Sequence, residues 1–303
     1  MPRVGRFGKI VITAIVFFLL IIVGSLFFRL PEMAHVDLAA EEVFSIGGYS
    51  ITNTMLTAWL TILVLGGISY AATRKMKLIP TGWQNAVEAV METILNFVEG
   101  VAGKEYGRRF LPIVATIFLF VVTNAWLGLF PGFSTIGVIR TGEDGEVLVP
   151  LLRGVNTDIN FPLALALVSF AFVEYWGIKV HGFFRYARKF FDMGRLVSGM
   201  GQVLRGKVRS GIGAVFSGVI DAFAGFIEAI TEIARIMSFT FRLFGNMTAG
   251  ELLLFVIAFL IPWGAAIPFY GLELFIGLVQ ALIFAGLTLV FVVIAVAPRE
   301  EEH

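Results

Sequence analysis

The apolar run GIGAVFSGVIDAFAGFIEAITEIARIMSFTFRLFGNMTAGELLLFVIAFLI (residues 211–261) decides the fold class of this chain. A helix rises 1.5 Å per residue, so a helix of about 50 residues is roughly 75 Å long. The hydrocarbon core of a bilayer is only about 30 Å thick, and no proline interrupts the run. The run is therefore predicted either to break without proline, near Gly225 or Gly245, or to cross the membrane at a strong tilt.

The composition of the whole chain agrees with a membrane protein. The 303 residues are 58% hydrophobic and only 15% charged, whereas soluble domains are about 25% charged. The net charge of +1 gives no basic field for nucleic acid. Cysteine is absent, the three histidines are far apart in sequence, and no HExxH, GxSxG or P-loop motif occurs. We therefore expect no cofactor and no metal site.

Apolar segments long enough to span a bilayer recur along the chain. Beyond the long run, the candidates are residues 10–28, 55–72, 110–129, 161–177 and 267–297. The last segment and the long run are both longer than one upright crossing requires, which predicts an oblique helical hairpin. The sequence thus predicts an all-α integral membrane protein with about six membrane helices and a charged tail at 299–303.

Charge asymmetry between the loops orients the predicted helices. Basic clusters lie at 3–9, 74–77, 104–109 and 179–209, while acidic residues prevail at 30–50 and 134–158. Cytoplasmic loops carry the excess of lysine and arginine. We therefore expect the N-terminus, the C-terminus and the tail in the cytoplasm, and the acidic segments outside.

Two segments allow two interpretations each. Residues 10–28 follow Arg3, Arg6 and Lys9 and form either a retained membrane anchor or a cleaved leader. Residues 85–103 have apolar side chains at helical spacing with glutamates between them. They are either an amphipathic helix on the membrane surface or a connector packed on its neighbours.

A charged stripe follows one face of the long run. Asp221, Glu228, Glu232, Arg235 and Arg242 are spaced by seven, four, three and seven residues, which places them on one side of a helix. Glu232 and Arg235 are close enough in sequence to form a purely structural ion pair.

Three further acidic or amide side chains lie outside the face of the helix that carries the stripe, or in the last segment. Glu251 is nine residues after Arg242 and is predicted to point away from it, toward another helix or an aqueous pocket. In the last segment, Glu273 and Gln280 share a face with Gly277.

Arg242 has no well-phased acid within its own segment. An arginine in mid-membrane costs on the order of 3 kcal/mol on insertion scales, and its guanidinium cannot lose its proton. The expected partner is an acid from another helix or another subunit. The small residues Gly245 and Ala249 beside Arg242 would allow a facing backbone to approach closely.

These residues resemble the subunit a family of F-type ATP synthases. The most specific match is SFTFRLFGNM (238–247) followed by TAGE. The supporting matches are NAWLGLFPG (124–132), VNTDINFPLALAL (155–167), FIEAI (226–230) and VQALIFAGLTLVFV (279–292).

The resemblance implies a non-catalytic, proton-conducting stator subunit with its family core at 51–298, after an N-terminal anchor or leader and external segment at 1–50. Its two oblique helices would lie against a rotating ring of c subunits, and Arg242 would pair transiently with each c-subunit carboxylate. It assigns an outer half-channel or ring interface to Asn246, Glu251, Glu273 and Gln280, the external mouth to Asp158 and Asn160, and the inner path to Glu228.

The implied partners are the c-ring, b-type peripheral stalk subunits, the remaining ATP synthase complex and lipids of a bacterial plasma membrane. The chain departs from the family pattern in segment 10–28, in the long basic loop 183–212, and in carrying acids at both Glu251 and Glu273. A secondary transporter is the main alternative, although the sequence has no second copy of the charged stripe. An intramembrane enzyme would require a nucleophile–base pair or clustered metal ligands.

Overall fold

The computed structural model describes residues 40–130, 136–142, 145–187, 190, 194–204, 208–260 and 266–297. Five helices in this part of the chain are long and apolar enough to cross a membrane. The predicted all-α membrane class is therefore confirmed. The candidate first span at 10–28 and the tail at 299–303 lie outside the described residues.

Seven helices follow one another along the described chain. The five long ones are α1 (Asn53–Thr73), α2 (Trp83–Gly128), α3 (Asn160–His181), α6 (Val208–Leu260) and α7 (Ala266–Val296). The two short ones are α4 (Phe183–Ala187) and α5 (Gly194–Leu204), which lie in the basic loop. Each predicted span after the first therefore corresponds to one long helix or to part of one.

Helix α6 is continuous over 53 residues. The predicted alternative of a break near Gly225 or Gly245 is therefore wrong. Glycine lowers helix propensity by only about 1 kcal/mol, and the apolar residues on every side of these glycines continue the helix through them. At 1.5 Å per residue its length is about 80 Å, so the tilted crossing stays the prediction for this segment.

Helix α2 contains the two segments that the sequence predicts as separate helices. The amphipathic stretch 85–103 and the span beginning at Phe110 follow each other in α2, and the helical backbone is interrupted between them at Gly103. Gly103 has φ 74° and ψ 166°, a conformation that side-chain-bearing residues rarely adopt. A single glycine therefore redirects the chain between the polar and apolar halves of α2.

Two antiparallel hairpins occupy the acidic segments, and the sequence analysis did not predict them. Strands β1 (Glu42–Ile46) and β2 (Tyr49–Thr52) are joined by Gly47 and Gly48, which both have positive φ. A two-residue turn with positive φ at both positions matches the twist of a hairpin. Strands β3 (Gly137–Gly142) and β4 (Gly145–Pro150) form the second hairpin.

The chain divides into two compact units. The first comprises Met1–Lys75, Leu119–Asp158 and Leu243–Leu282. It contains α1, both hairpins and a short 3₁₀ turn at Val155–Thr157. Its buried apolar side chains include Val121, Val122, Val155, Leu243 and Leu254.

The second unit comprises Met76–Phe118, Ile159–Arg242 and Ile283–His303. An aromatic cluster fills part of its core. Phe110 packs edge-on against Trp176 with ring centroids 5.1 Å apart, and Phe239 lies 4.9 Å from Phe284. Ser169 and Thr288 share a buried hydrogen bond of 2.7 Å inside this core, so the polar atoms of both hydroxyl groups are satisfied.

Candidate functional site

The 3₁₀ turn of the first unit is anchored by its backbone. The Arg153 N–H donates to Thr57 Oγ1 over 3.1 Å, and the Val155 N–H donates to Asn124 Oδ1 over 3.1 Å. Asn124 Nδ2 donates in turn to Thr61 Oγ1 over 3.1 Å. Because buried amides require partners, these side chains hold the segment against α1 and α2.

Asp158 ends this segment and faces α1. Thr54 Oγ1 donates to Asp158 Oδ2 over 3.1 Å. The segment also passes close to α2, because a Cβ on Gly128 would come within 3.3 Å of the Gly154 Cα. Asn160, predicted beside Asp158 at the external mouth, is an exposed residue at the first position of α3 and belongs to the second unit.

Glu251 forms an ion pair that the sequence analysis did not predict. Arg153 Nε lies 3.5 Å from Glu251 Oε1, and the two side chains are 8% and 37% exposed. The sequence predicted that Glu251 faces another helix or an aqueous pocket, whereas Arg153 belongs to the irregular chain segment before the 3₁₀ turn.

Glu273 and Gln280 both contact α6. A Cβ built on Gly250 would overlap the Glu273 carboxylate, so this carboxylate lies directly against the backbone of α6. Asn246 Nδ2 donates to Gln280 Oε1 over 2.8 Å. The first unit therefore brings together four predicted site residues, Asn246, Glu251, Glu273 and Gln280.

Several buried polar atoms of the first unit have no hydrogen-bond partner among the described residues. They are Asn53 Nδ2, both amide atoms of Asn156, Thr248 Oγ1, Glu251 Oε2 and Gln280 Nε2. Native proteins usually satisfy such atoms with protein groups or ordered water. Their number within one unit marks a polar interior that can accept water.

The second unit contains the ion pair that the sequence suggested. Arg235 Nη1 lies 2.6 Å from Glu232 Oε2, and its guanidinium carbon is 3.9 Å from the centre of the Phe291 ring. This arrangement combines charge pairing with a cation–π contact.

A cavity of about 240 Å³ adjoins this ion pair. Glu228, which was predicted as a site residue, lines it together with Glu232 and Arg235. The remaining polar lining comes from His181, Arg185 and Tyr186, and the apolar lining from Val173, Phe291, Ile294, Ala295 and Ala297. The cavity is therefore lined by both acidic and basic side chains.

Tyr186 closes one side of the cavity. Its hydroxyl donates to Glu174 Oε1 over 3.1 Å, and its ring lies so close to Gly177 that a Cβ there would overlap it. Burial, and then the charge of Glu174, raise the pKa of Tyr186 above its usual range. The phenol therefore stays protonated and acts as a hydrogen-bond donor.

Arg242 differs from the paired arginines Arg153 and Arg235. Its Nη2 donates to Ser238 Oγ over 3.4 Å. Within the described residues, no carboxylate oxygen lies within 4 Å of its guanidinium.

Sequence reasoning missed several polar residues that shape these sites. Asn124 interrupts the apolar span 110–129, and Arg153 is one of two arginines in an external segment with an acidic excess. Both were visible as exceptions to a local pattern. Glu174 was visible in the same way, as the one charged residue of the apolar span 161–177. His181 and Tyr186 carried no such signal, because their proximity to Glu174 depends on the chain turning at Gly182, which has φ 82°.

The fold and these sites define a class: a polytopic α-helical membrane protein with charged and polar side chains placed deep among apolar helices. Such side chains usually mark ion or substrate pathways. The family model described as ATP synthase A chain matches residues 55–293. The chain belongs to this family.

Curated relatives cover most of the chain. It is 29% identical over 260 residues to ATP synthase subunit a of Aliarcobacter butzleri, covering 86% of this chain and 96% of the relative. It is 29% identical over 264 residues to the subunit of Helicobacter pylori strain P12, covering 86% and 98%. It is 30% identical over 245 residues to the subunit of Campylobacter concisus, covering 80% of this chain and 89% of the relative.

Proposed function

We propose that this chain is the proton-conducting stator subunit in the membrane sector of an ATP synthase. Family membership and the name shared by the relatives support this proposal. In this role the chain binds no nucleotide itself. It couples the passage of protons across the membrane to rotation of a neighbouring ring.

The main observation behind the proposal is that Arg242 forms no ion pair with a carboxylate of the described residues. Its positive charge is permanent, and a charge at depth needs a partner. No carboxylate of the described residues lies within 4 Å of the Arg242 guanidinium, and we propose that its partner is an acid presented by another subunit. In a c-ring, each arriving carboxylate would be stabilised in its ionised form beside Arg242 and would release its proton there.

Two separate polar regions support two separate routes for protons. The first unit supplies Asn246, Glu251, Glu273 and Gln280, and its Asp158 is assigned to the external mouth. The family resemblance assigns Asn160 of the second unit to the external mouth as well. The second unit supplies Glu228 and its cavity, which we assign to the route toward the cytoplasm. Each proton moved along the two routes releases about 2.3 kcal/mol per 100 mV of membrane potential, in addition to the pH term.

The proposed setting is a bacterial plasma membrane with both termini of the chain in the cytoplasm. The proposed partners are the c-ring, b-type peripheral stalk subunits, the other ATP synthase subunits and the surrounding lipids. Residues 51–298 form the proposed core, preceded by an anchor or leader and an external segment at 1–50. The basic clusters at 74–77 and 104–109 support this orientation.

Replacement of Arg242 by alanine tests the proposal. In inverted membrane vesicles, Arg242→Ala is expected to abolish ATP-driven acidification while ATP hydrolysis by the soluble head continues. Arg209→Ala is the matched control, because Arg209 is an exposed arginine of the same helix, and this variant should pump normally. Normal pumping by an assembled Arg242→Ala complex would contradict the proposed function.

A further inference from the structure

We infer that α5 lies among the lipid headgroups of the cytoplasmic leaflet and binds anionic phospholipid through its exposed apolar side, formed by Val197, Met200 and Leu204. The inference goes beyond the proposed function, because it involves no proton-conducting residue. The two share only the orientation of the basic loop toward the cytoplasm. The inference gives a role to this loop, in which the chain departs from its family pattern.

Helix α5 is the first arm of a helical hairpin, and the start of α6 is the second arm. A Cβ built on Gly199 would come within 2.6 Å of the Val215 backbone nitrogen, and a Cβ on Gly211 within 2.5 Å of a Val203 methyl group. As α5 advances from Gly199 to Val203, its contacts on α6 move back from Val215 to Gly211. The two helices are therefore antiparallel, and their backbones pack closely through the two glycines.

The apolar side of α5 points away from this contact. Val197, Met200 and Leu204 are 66%, 56% and 86% exposed. At 3.6 residues per turn they lie about 100–160° around the helix from Gly199. The polar residues Ser198 and Gln202 lie on the other flank. A helix with one polar side and one uncovered apolar side is typical of helices that lie in the plane of the membrane interface.

The apolar side of α5 continues onto α6. Ile212 and Phe216 are 60% and 69% exposed, and they lie about 100–140° around α6 from Gly211. In an antiparallel pair, residues displaced in the same sense from the contact lie on the same side of the pair. Because α6 is long and apolar enough to cross a membrane, the surface that α5 extends is one that faces lipid.

The charge of the surrounding chain favours anionic lipid. Segment 183–207 contains one acid, Asp192, and six basic residues, Arg185, Arg188, Lys189, Arg195, Arg205 and Lys207. Basic residues beside a membrane helix attract anionic headgroups, and each one near the surface strengthens binding about five-fold. An anionic phospholipid matches both properties of the segment, because its headgroup complements the basic residues and its acyl chains complement the apolar side. Binding of this lipid would hold the first turns of α6 at the headgroup level.

A photoreactive side chain at position 200 tests the inference in the assembled complex. Met200 is replaced by p-benzoylphenylalanine, and the complex is reconstituted into nanodiscs of phosphatidylglycerol or of phosphatidylcholine and illuminated. Mass spectrometry of the chain should show a lipid adduct that is about five-fold or more abundant in phosphatidylglycerol. The same replacement of Ser198, which is exposed on the polar flank of α5, is the matched control and should give little adduct.

Three results would overturn the inference: a cross-link from position 200 to another protein subunit instead of lipid, equal adduct in the two lipids, or equal adduct from positions 198 and 200. If the complex does not assemble with the replacement at 200, Leu204 carries the photoreactive side chain, and the same results decide. This experiment measures no proton movement. Pumping by Arg242→Ala would defeat the proposed function and leave the lipid adduct unchanged, so the two failures are distinguishable.

Discussion

The carboxylate of Glu273 occupies the space into which a Cβ at position 250 would project. Gly250 is therefore the residue that allows α7 to place an acid directly against α6. Any side chain at position 250 must displace either this carboxylate or the helix that carries it. The contact gives a direct way to perturb Glu273 without changing its chemistry.

Gly250→Ala is expected to reduce proton pumping strongly, because the added methyl group overlaps the Glu273 carboxylate. Combining it with Glu273→Asp, which is shorter by one methylene, should restore part of the activity. Gly213→Ala is the control in the same helix, since nothing lies within 4 Å of a Cβ at that glycine. ATP-driven acidification of inverted vesicles measures all three effects, and normal pumping by Gly250→Ala would show that this contact is unimportant.

Arg242→Lys is expected to fail nearly as badly as Arg242→Ala. Lysine presents a compact charge instead of a planar fork, and it can lose its proton when it is desolvated. The measurement is ATP-driven acidification at several pH values. A lysine variant with full activity would indicate that any cation at this position is sufficient.

The hydrogen bond between Asn246 and Gln280 should matter less than the charge of Arg242. Gln280→Leu is expected to slow pumping several-fold by leaving the Asn246 amide without its partner, a loss of about 1–3 kcal/mol. Asn246→Leu should have a similar effect. The effects of substituting two residues that act as one pair are not additive. The double variant should therefore pump about as well as either single variant. A fully additive loss of pumping would indicate that the two residues have separate roles.

The ion pair between Glu232 and Arg235 is expected to contribute to the stability of the complex. Glu232→Gln weakens the ion pair of a half-buried arginine and is expected to lower the stability of the complex by about 3 kcal/mol at most. The double variant Glu232→Gln/Arg235→Met should recover much of this loss. Thermal dissociation of the purified complex measures both changes. If the double variant is less stable than Glu232→Gln, the intact pair contributes more to stability than a neutral replacement does.

Tyr186→Phe removes the hydroxyl that donates to Glu174. Because the pKa of Tyr186 is raised by burial, the neutral phenol persists to higher pH than an ordinary tyrosine. Its loss should therefore change pumping by a constant factor between about pH 6 and 9, below the usual tyrosine range. A factor that varied with pH across this interval would show that the hydroxyl titrates there.

The sequence predicted the membrane class and the spans after the first because hydrophobicity and helix length leave few alternatives. It also predicted that Arg242 finds no acid in its own segment, since helical phase is fixed by residue spacing. It also separated 85–103 from the span that begins at Phe110, and the backbone is interrupted between them at Gly103. The exact position of this interruption was not predictable, because it depends on one glycine adopting an unusual φ.

The site was predictable only where residues share a helix. Glu232 and Arg235 are three residues apart, and their contact follows from that spacing. Arg153 and Glu251 are separated by nearly a hundred residues, and their contact depends on how the 3₁₀ turn packs. The hairpins were not predicted because their strands are too short to stand out as hydrophobic segments. Gly47 and Gly48 are nevertheless a recognisable turn sequence.

The segment before Asp158 is held through its main chain: the amides of Arg153 and Val155 provide the bonds to Thr57 and Asn124. Every residue except proline has such an amide. At position 153 the backbone hydrogen bond that places the segment therefore does not require an arginine side chain. Evolution can exchange the residue at position 153, altering the local charge, while the peptide scaffold that presents it remains in place.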